Sequence, residues 1–139
     1  MLNTMFQNLE KIKMGWHLIN GDWFKSDWFI NLSYEMKLYW IFINLNCDCA
    51  GVFEPALKFF EFSTGVKVDF EKFMVKINLD YNKVLTLING KYFLTEYIRD
   101  HTGANFEEPN TVQKGILKVL EKNQIDLKYV MGSNGYKEP

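Results

Sequence analysis

An α+β fold is predicted by three observations in the 139-residue sequence. Apolar residues recur at helical spacing in several segments, between short β-prone runs. From Ser33 to Tyr97 the order reads helix, short strand, helix, helix, then two strands. Those strands flank Asn89-Gly90, and Asn-Gly between β-prone runs is the strongest short-range hairpin signal. This is the layout of a winged helix-turn-helix, here with an extra helix at each end. The expected division is an N-terminal amphipathic helix over residues 1–15, a winged-helix domain over 16–125, and a flexible tail or linker over 126–139.

The elements follow in order. Leu2, Met5, Phe6, Leu9 and Ile12 recur at helical spacing among Asn8, Glu10, Lys11 and Lys13, which predicts an amphipathic helix ending near Gly15. Residues 16–24 read as extended, with a break at Asn20-Gly21. Ser26 or Asp27 caps a brief helix containing Trp28 and Phe29. Ser33 caps the next one, and Glu35 in its first turn favours the helix dipole. That helix, from Met36 to Leu45, is apolar on most sides, the pattern of a buried central helix.

The run from Asn46 to Gly51 breaks it, and Val52-Phe53-Glu54 is a short strand. Pro55 suits a first helical turn, where its missing N–H would be unpaired anyway. Leu57, Phe59, Phe60 and Phe62 carry that helix to Thr64-Gly65. Asp69 caps the following helix, which places Phe70, Phe73, Met74 and Ile77 on one face. Residues 84–88 and 92–94 are the hairpin strands. Arg99 to Pro109 reads as a polar connection, and Asn110 or Thr111 caps a last helix ending near Asn123.

Composition bounds the function. Apolar residues make up 47% and aromatics 17%, far from the low hydrophobicity of disordered chains. The net charge is -1, so any anion-binding surface comes from uneven placement of charge. The two cysteines, Cys47 and Cys49, are too few and too close for a secreted disulfide framework. Residues 1–14 lack a basic start followed by an apolar run, and the longest apolar stretch is far too short to span a bilayer. The expected compartment is the cytoplasm, with no membrane partner.

The helix over residues 69–79 holds the position of a recognition helix. Lys or Asn on its exposed face can contact phosphates or base edges in a major groove. Lys67, Lys72 and Lys76 suit phosphate or base contact, and Asn78 suits base readout. From Lys67 to Lys91 five lysines face three acids, 5 − 3 = +2. The plainer reading is a solvated helix face. At the hairpin, Lys83, Asn89 and Lys91 suit contact with the DNA backbone, or form an ordinary turn. Lys114, Lys118 and Lys122 share one face of the last helix, as a phosphate-tracking stripe or a solubilising surface.

Catalytic, metal and cofactor chemistry finds no motif. Cys47-Asp48-Cys49 lacks the second ligand pair a zinc site needs. Glu54, Glu61, Glu96, Asp100 and His101 are scattered, and there is no nucleophile elbow, P-loop or HExxH helix. The chain is therefore expected to be a binding protein and not an enzyme.

A family resemblance emerges from these residues. It is carried by Trp23-Phe24-x-Ser26-Asp27-Trp28-Phe29-x-x-Leu32-Ser33, by Lys37-x-x-Trp40, and by Cys47-Asp48-x-Ala50-Gly51-Val52-Phe53-Glu54. The hairpin from Asn89 to Leu94 and the pattern Asn110-x-Val112-x-Lys114-x-Ile116-x-x-x-Leu120 extend it. Together they resemble the N-terminal winged-helix domain of phage and prophage replication proteins, the replisome organisers and primosomal initiators of low-GC bacteria. The resemblance spans about residues 16–125. It implies origin or replication-fork DNA binding in a bacterial host cell, and duplex is the expected partner before single-stranded DNA. It also implies self-association and contacts with other replication proteins. Carried over, the DNA surface would be Lys67, Lys72, Lys76, Lys83 and Lys91. Two other readings stand beside it: a protein-interaction module that pairs through the N-terminal amphipathic helix, and a transcriptional regulator.

Overall fold

Side-chain caps at Asn20, Ser33, Asp69 and Asn110 set where helices of this chain begin. A computed structural model describes residues 19–103 and 105–131, so the expected helix near the N-terminus lies outside the described residues. Asn20 opens a 3₁₀ helix, Gly21–Lys25, by accepting from the Asp22 N–H, where the sequence suggested extended chain. The brief helix α1 follows at Asp27–Ile30. Helix α2 covers Tyr34–Asn46, and the Ser33 hydroxyl accepts from the Met36 N–H at 3.2 Å. Tyr39, Trp40, Ile43 and Asn44 turn inward, while Tyr34, Leu38 and Leu45 stay exposed. The helix is thus half-covered, not buried all round.

Strand β1 is Val52–Phe53. Helix α3, Leu57–Thr64, begins after Ala56, which holds a left-handed φ of 48°. Pro55 therefore precedes the helix instead of occupying its first turn, and its carbonyl accepts from the Tyr39 hydroxyl at 2.8 Å. Gly65, at φ 73°, ends α3 with its N–H on the Glu61 carbonyl. Helix α4, Phe70–Ile77, is capped by the Asp69 carboxylate, which accepts from the Lys72 N–H.

Strands β2, Val84–Thr86, and β3, Tyr92–Leu94, form the hairpin. The Leu87 N–H donates to the Lys91 carbonyl and the Gly90 N–H to that of Leu87. The loop is thus three residues long, with Gly90 at φ 81° in the bulge position. The sheet is antiparallel in the order β1-β3-β2, with Val52 opposite Phe93 and Leu85 opposite Phe93 on the other side.

Two further helices replace expected coil. Helix α5, Tyr97–Thr102, lies where a polar connection was expected, anchored by buried Tyr97 and Ile98. Helix α6, Thr111–Lys122, starts in a capping box between Asn110 and Gln113. Helix α7, Lys128–Met131, occupies the start of the expected tail, and Val130 is buried.

Alternation along the strands sends neighbours to opposite sheet faces. Phe53, Val84 and Leu94 join a core with Trp23, Phe29, Tyr39, Trp40, Phe60, Phe73 and Ile77. Val52 and Phe93 join a second core with Ile98, Phe106, Ile116, Leu120 and Val130. Helix α4 thus packs on one face of the sheet and α6 on the other. Among the described residues no helix is long and apolar enough to cross a membrane.

Gly51 sits against the start of α5 and the end of β3. Its φ is 89°, and a Cβ there would stand 2.6 Å from the Tyr97 Cβ and 3.2 Å from the Leu94 carbonyl oxygen. Gly51→Ala meets both backbone strain and a rigid neighbour. It is expected to cost about 2–4 kcal/mol, read as a lower urea midpoint with an unchanged slope.

Candidate nucleic-acid interface

The inward face of α4 fixes its outward one. Phe73 and Ile77 are buried, and Phe70 and Met74 pack against the same core. Residues 71, 72, 75 and 76 are consequently turned to solvent, followed by Leu79 just past the C-cap. Lys72 and Lys76 stand one turn apart on this surface. Neither is in an ion pair among the described residues. Val75 and Leu79 lie between and beside them and are 69% and 66% exposed. With Met36 of α2 and Glu71 they line a groove of about 430 Å³.

The remaining expected contacts disperse. Lys67 is exposed and pairs with Glu61 at 3.6 Å, a surface pair worth little. Lys91 is half-buried and lines a different hollow, at the C-terminal end of α2, with Asp48, Glu54 and Phe53. Lys114 and Lys118 are exposed on α6, which covers the opposite sheet face from α4. One flat docking surface does not hold both lysine sets.

Three expected contacts have structural occupations instead. The Asn78 carboxamide oxygen accepts from the Lys83 and Val84 N–H groups at 2.8 and 3.0 Å, and its amide donates to the Val84 carbonyl. It closes the turn from α4 into β2, with both oxygen lone pairs and one of its two amide N–H groups engaged. The Asn89 oxygen accepts from the Lys91 N–H, and its amide donates to the Asn123 side chain at 2.7 Å. The hairpin tip is thereby tied to the end of α6.

Lys83 departs furthest from expectation, because it is 2% exposed. Its ammonium lies 4.0 Å from the Tyr81 ring centre and 4.8 Å from that of Trp28. Nζ is buried without a hydrogen-bond partner. Burial lowers its pKa from the ordinary lysine value, while Glu96 and Asp80 pull the other way. The cation is held by aromatic faces and distant carboxylates instead of by solvent.

Lys83→Met keeps the volume and removes the buried charge. Its stability at neutral pH is expected to match that of the parent or exceed it by up to about 2 kcal/mol. The pH dependence has a definite sign. With the folded pKa depressed, the unfolded chain binds the extra proton up to about pH 10.4, so the parent gains stability as pH rises toward that value. The advantage of Lys83→Met should therefore shrink with pH, as read from urea titrations at neutral and alkaline pH. An advantage that grows with pH would contradict this account.

Cys47 and His101 are likewise engaged within the fold. Burial pushes the Cys47 thiol up to about 12, so it packs as a small apolar side chain. The His101 ring stacks on Tyr97 with centroids 3.9 Å apart. Among the described residues no group of three His, Cys, Asp or Glu side chains is placed to hold a metal.

The exposed feature of α4 that sequence reading passed over is apolar. Val75 and Leu79 follow Glu71 at helical spacing, and the positions of Phe70, Phe73, Met74 and Ile77 already assign them to the outer face.

The molecule is thus a mixed α+β protein, built on a three-stranded antiparallel sheet, that presents a basic and apolar helix face. No protein-family model, curated protein or solved structure matches the chain.

Proposed function

We propose that this chain is a non-enzymatic, DNA-binding winged-helix protein of phage or prophage origin, acting in replication initiation in the bacterial cytoplasm. The order helix, strand, helix, helix, hairpin supports the winged-helix reading, as does β1 pairing with the second hairpin strand. Helix α4 then stands as the recognition helix. The observation that carries the DNA reading is the pair Lys72 and Lys76, exposed on its outer face and without ion-pair partners among the described residues. Phosphate contact by such residues makes affinity depend steeply on salt. Fluorescence anisotropy with labelled duplex at two salt concentrations tests this. Binding in the micromolar range that weakens with salt is the expected result. No binding at low salt would overturn the reading.

A protein-interaction module is the second reading. It is favoured by Phe59 and Phe62 on α3, whose rings are largely exposed. Exposed apolar clusters of this kind mark contacts between proteins. The expected pairing through the N-terminal helix concerns residues outside those described. Sedimentation of the chain without residues 1–14 tests that pairing, and an unchanged mass would exclude it.

A further inference from the structure

Lys72, Lys76 and Glu71 account for the charged part of the outer face of α4. Val75 and Leu79, the latter just past the helix end, are its apolar part, and solvent is a poor partner for two branched aliphatic side chains. On a duplex, the apolar group displayed on a base edge in the major groove is the thymine 5-methyl. Lys72 and Lys76 line the same groove as the aliphatic pair and supply the charge complementary to phosphates, while Glu71 is the lone acid lining it.

We propose that Val75 and Leu79 read thymine methyl groups, so that the α4 face selects A·T-rich duplex DNA. This rests on the DNA reading above and adds the sequence class to it. Lysines set position and strength, and the aliphatic pair sets base preference. Each methyl buried against a side chain is worth about fourfold in affinity.

The test compares two labelled duplexes of alternating A·T pairs, one with thymine and one with deoxyuridine throughout. The second lacks only the 5-methyl groups. The full chain is expected to bind the thymine duplex about fourfold to fifteenfold more tightly, for one or two methyl contacts. Val75→Ala with Leu79→Ala should bind both duplexes alike. Both residues are exposed, so the variant should fold, and circular dichroism checks that it does. Equal binding of the two duplexes by the parent chain overturns the proposal and leaves DNA binding standing. A thymine preference that survives the double substitution also overturns it. No binding to either duplex at low salt overturns the DNA reading itself. Sedimentation of the same samples completes the test. A dimer that dissociates on the double substitution would assign this face to a second copy of the chain and overturn the proposal.

Discussion

Phe73→Ala is expected to lose about 3–5 kcal/mol of stability, a large share of the roughly 5–15 kcal/mol that holds an ordinary domain folded. Phe73 is fully buried at the point where α4 meets α2. Its ring meets Tyr39 edge to face, with centroids 4.9 Å apart at 89°. Tyr39 in turn meets Phe60 edge to face at 5.2 Å. Each such contact adds about 0.5–1.5 kcal/mol beyond the burial itself. Truncation at Phe73 therefore removes a ring, opens a cavity and strips Tyr39 of a neighbour. Thermal and urea unfolding measure the loss. A cost below about 1.5 kcal/mol would mean that the site collapses around the smaller residue and that the aromatic chain is not what fixes α4.

Lys72→Glu with Lys76→Glu carries the largest expected effect on binding. Contacts from ammonium to phosphate are worth about 1.5–3 kcal/mol each, so reversing both charges should cost a hundredfold or more in duplex affinity. The log–log salt slope should fall by about two units, because two fewer counterions are released. Both side chains are exposed, so the fold should persist. Lys114→Glu with Lys118→Glu is the matched control, since those residues stand on α6 beyond the opposite face of the sheet. If the control loses as much as the α4 variant, the contact surface is not α4.

The fold's skeleton was readable because its boundaries are local chemistry. Ser33, Asp69 and Asn110 each bond an N–H two or three residues inside their own helix. Gly65 and the Asn89-Gly90 turn are likewise set by backbone geometry of nearby residues. Helix α5 was not readable: its N-cap Glu96 makes no side-chain cap, and Arg99, Asp100 and His101 resemble a loop. Two adjacent apolar residues, Tyr97 and Ile98, anchor it to both cores, and adjacency carries no helical period. Pro55 misled for a similar reason, since its carbonyl is engaged by Tyr39 from another helix.

The site was half readable. The spacing of Phe70, Phe73, Met74 and Ile77 fixed which lysines face outward. Asn78 and Lys83 were read as surface because polar residues usually are. The groups that occupy them come from the fold: the β2 backbone for Asn78, and the rings of Trp28 and Tyr81 for Lys83. No window of sequence around Lys83 contains Trp28.

The bond from Asn89 to Asn123 has a mechanical meaning. A hairpin tip held at one end only would swing on its two short strands. This one is fastened to the terminus of α6, and Leu87 sits in the same core as Leu117 and Leu127. Hairpin and C-terminal helices should open together, as one cooperative unit in hydrogen exchange. A load applied at the tip would then be felt on the far side of the sheet, with α6 as the lever.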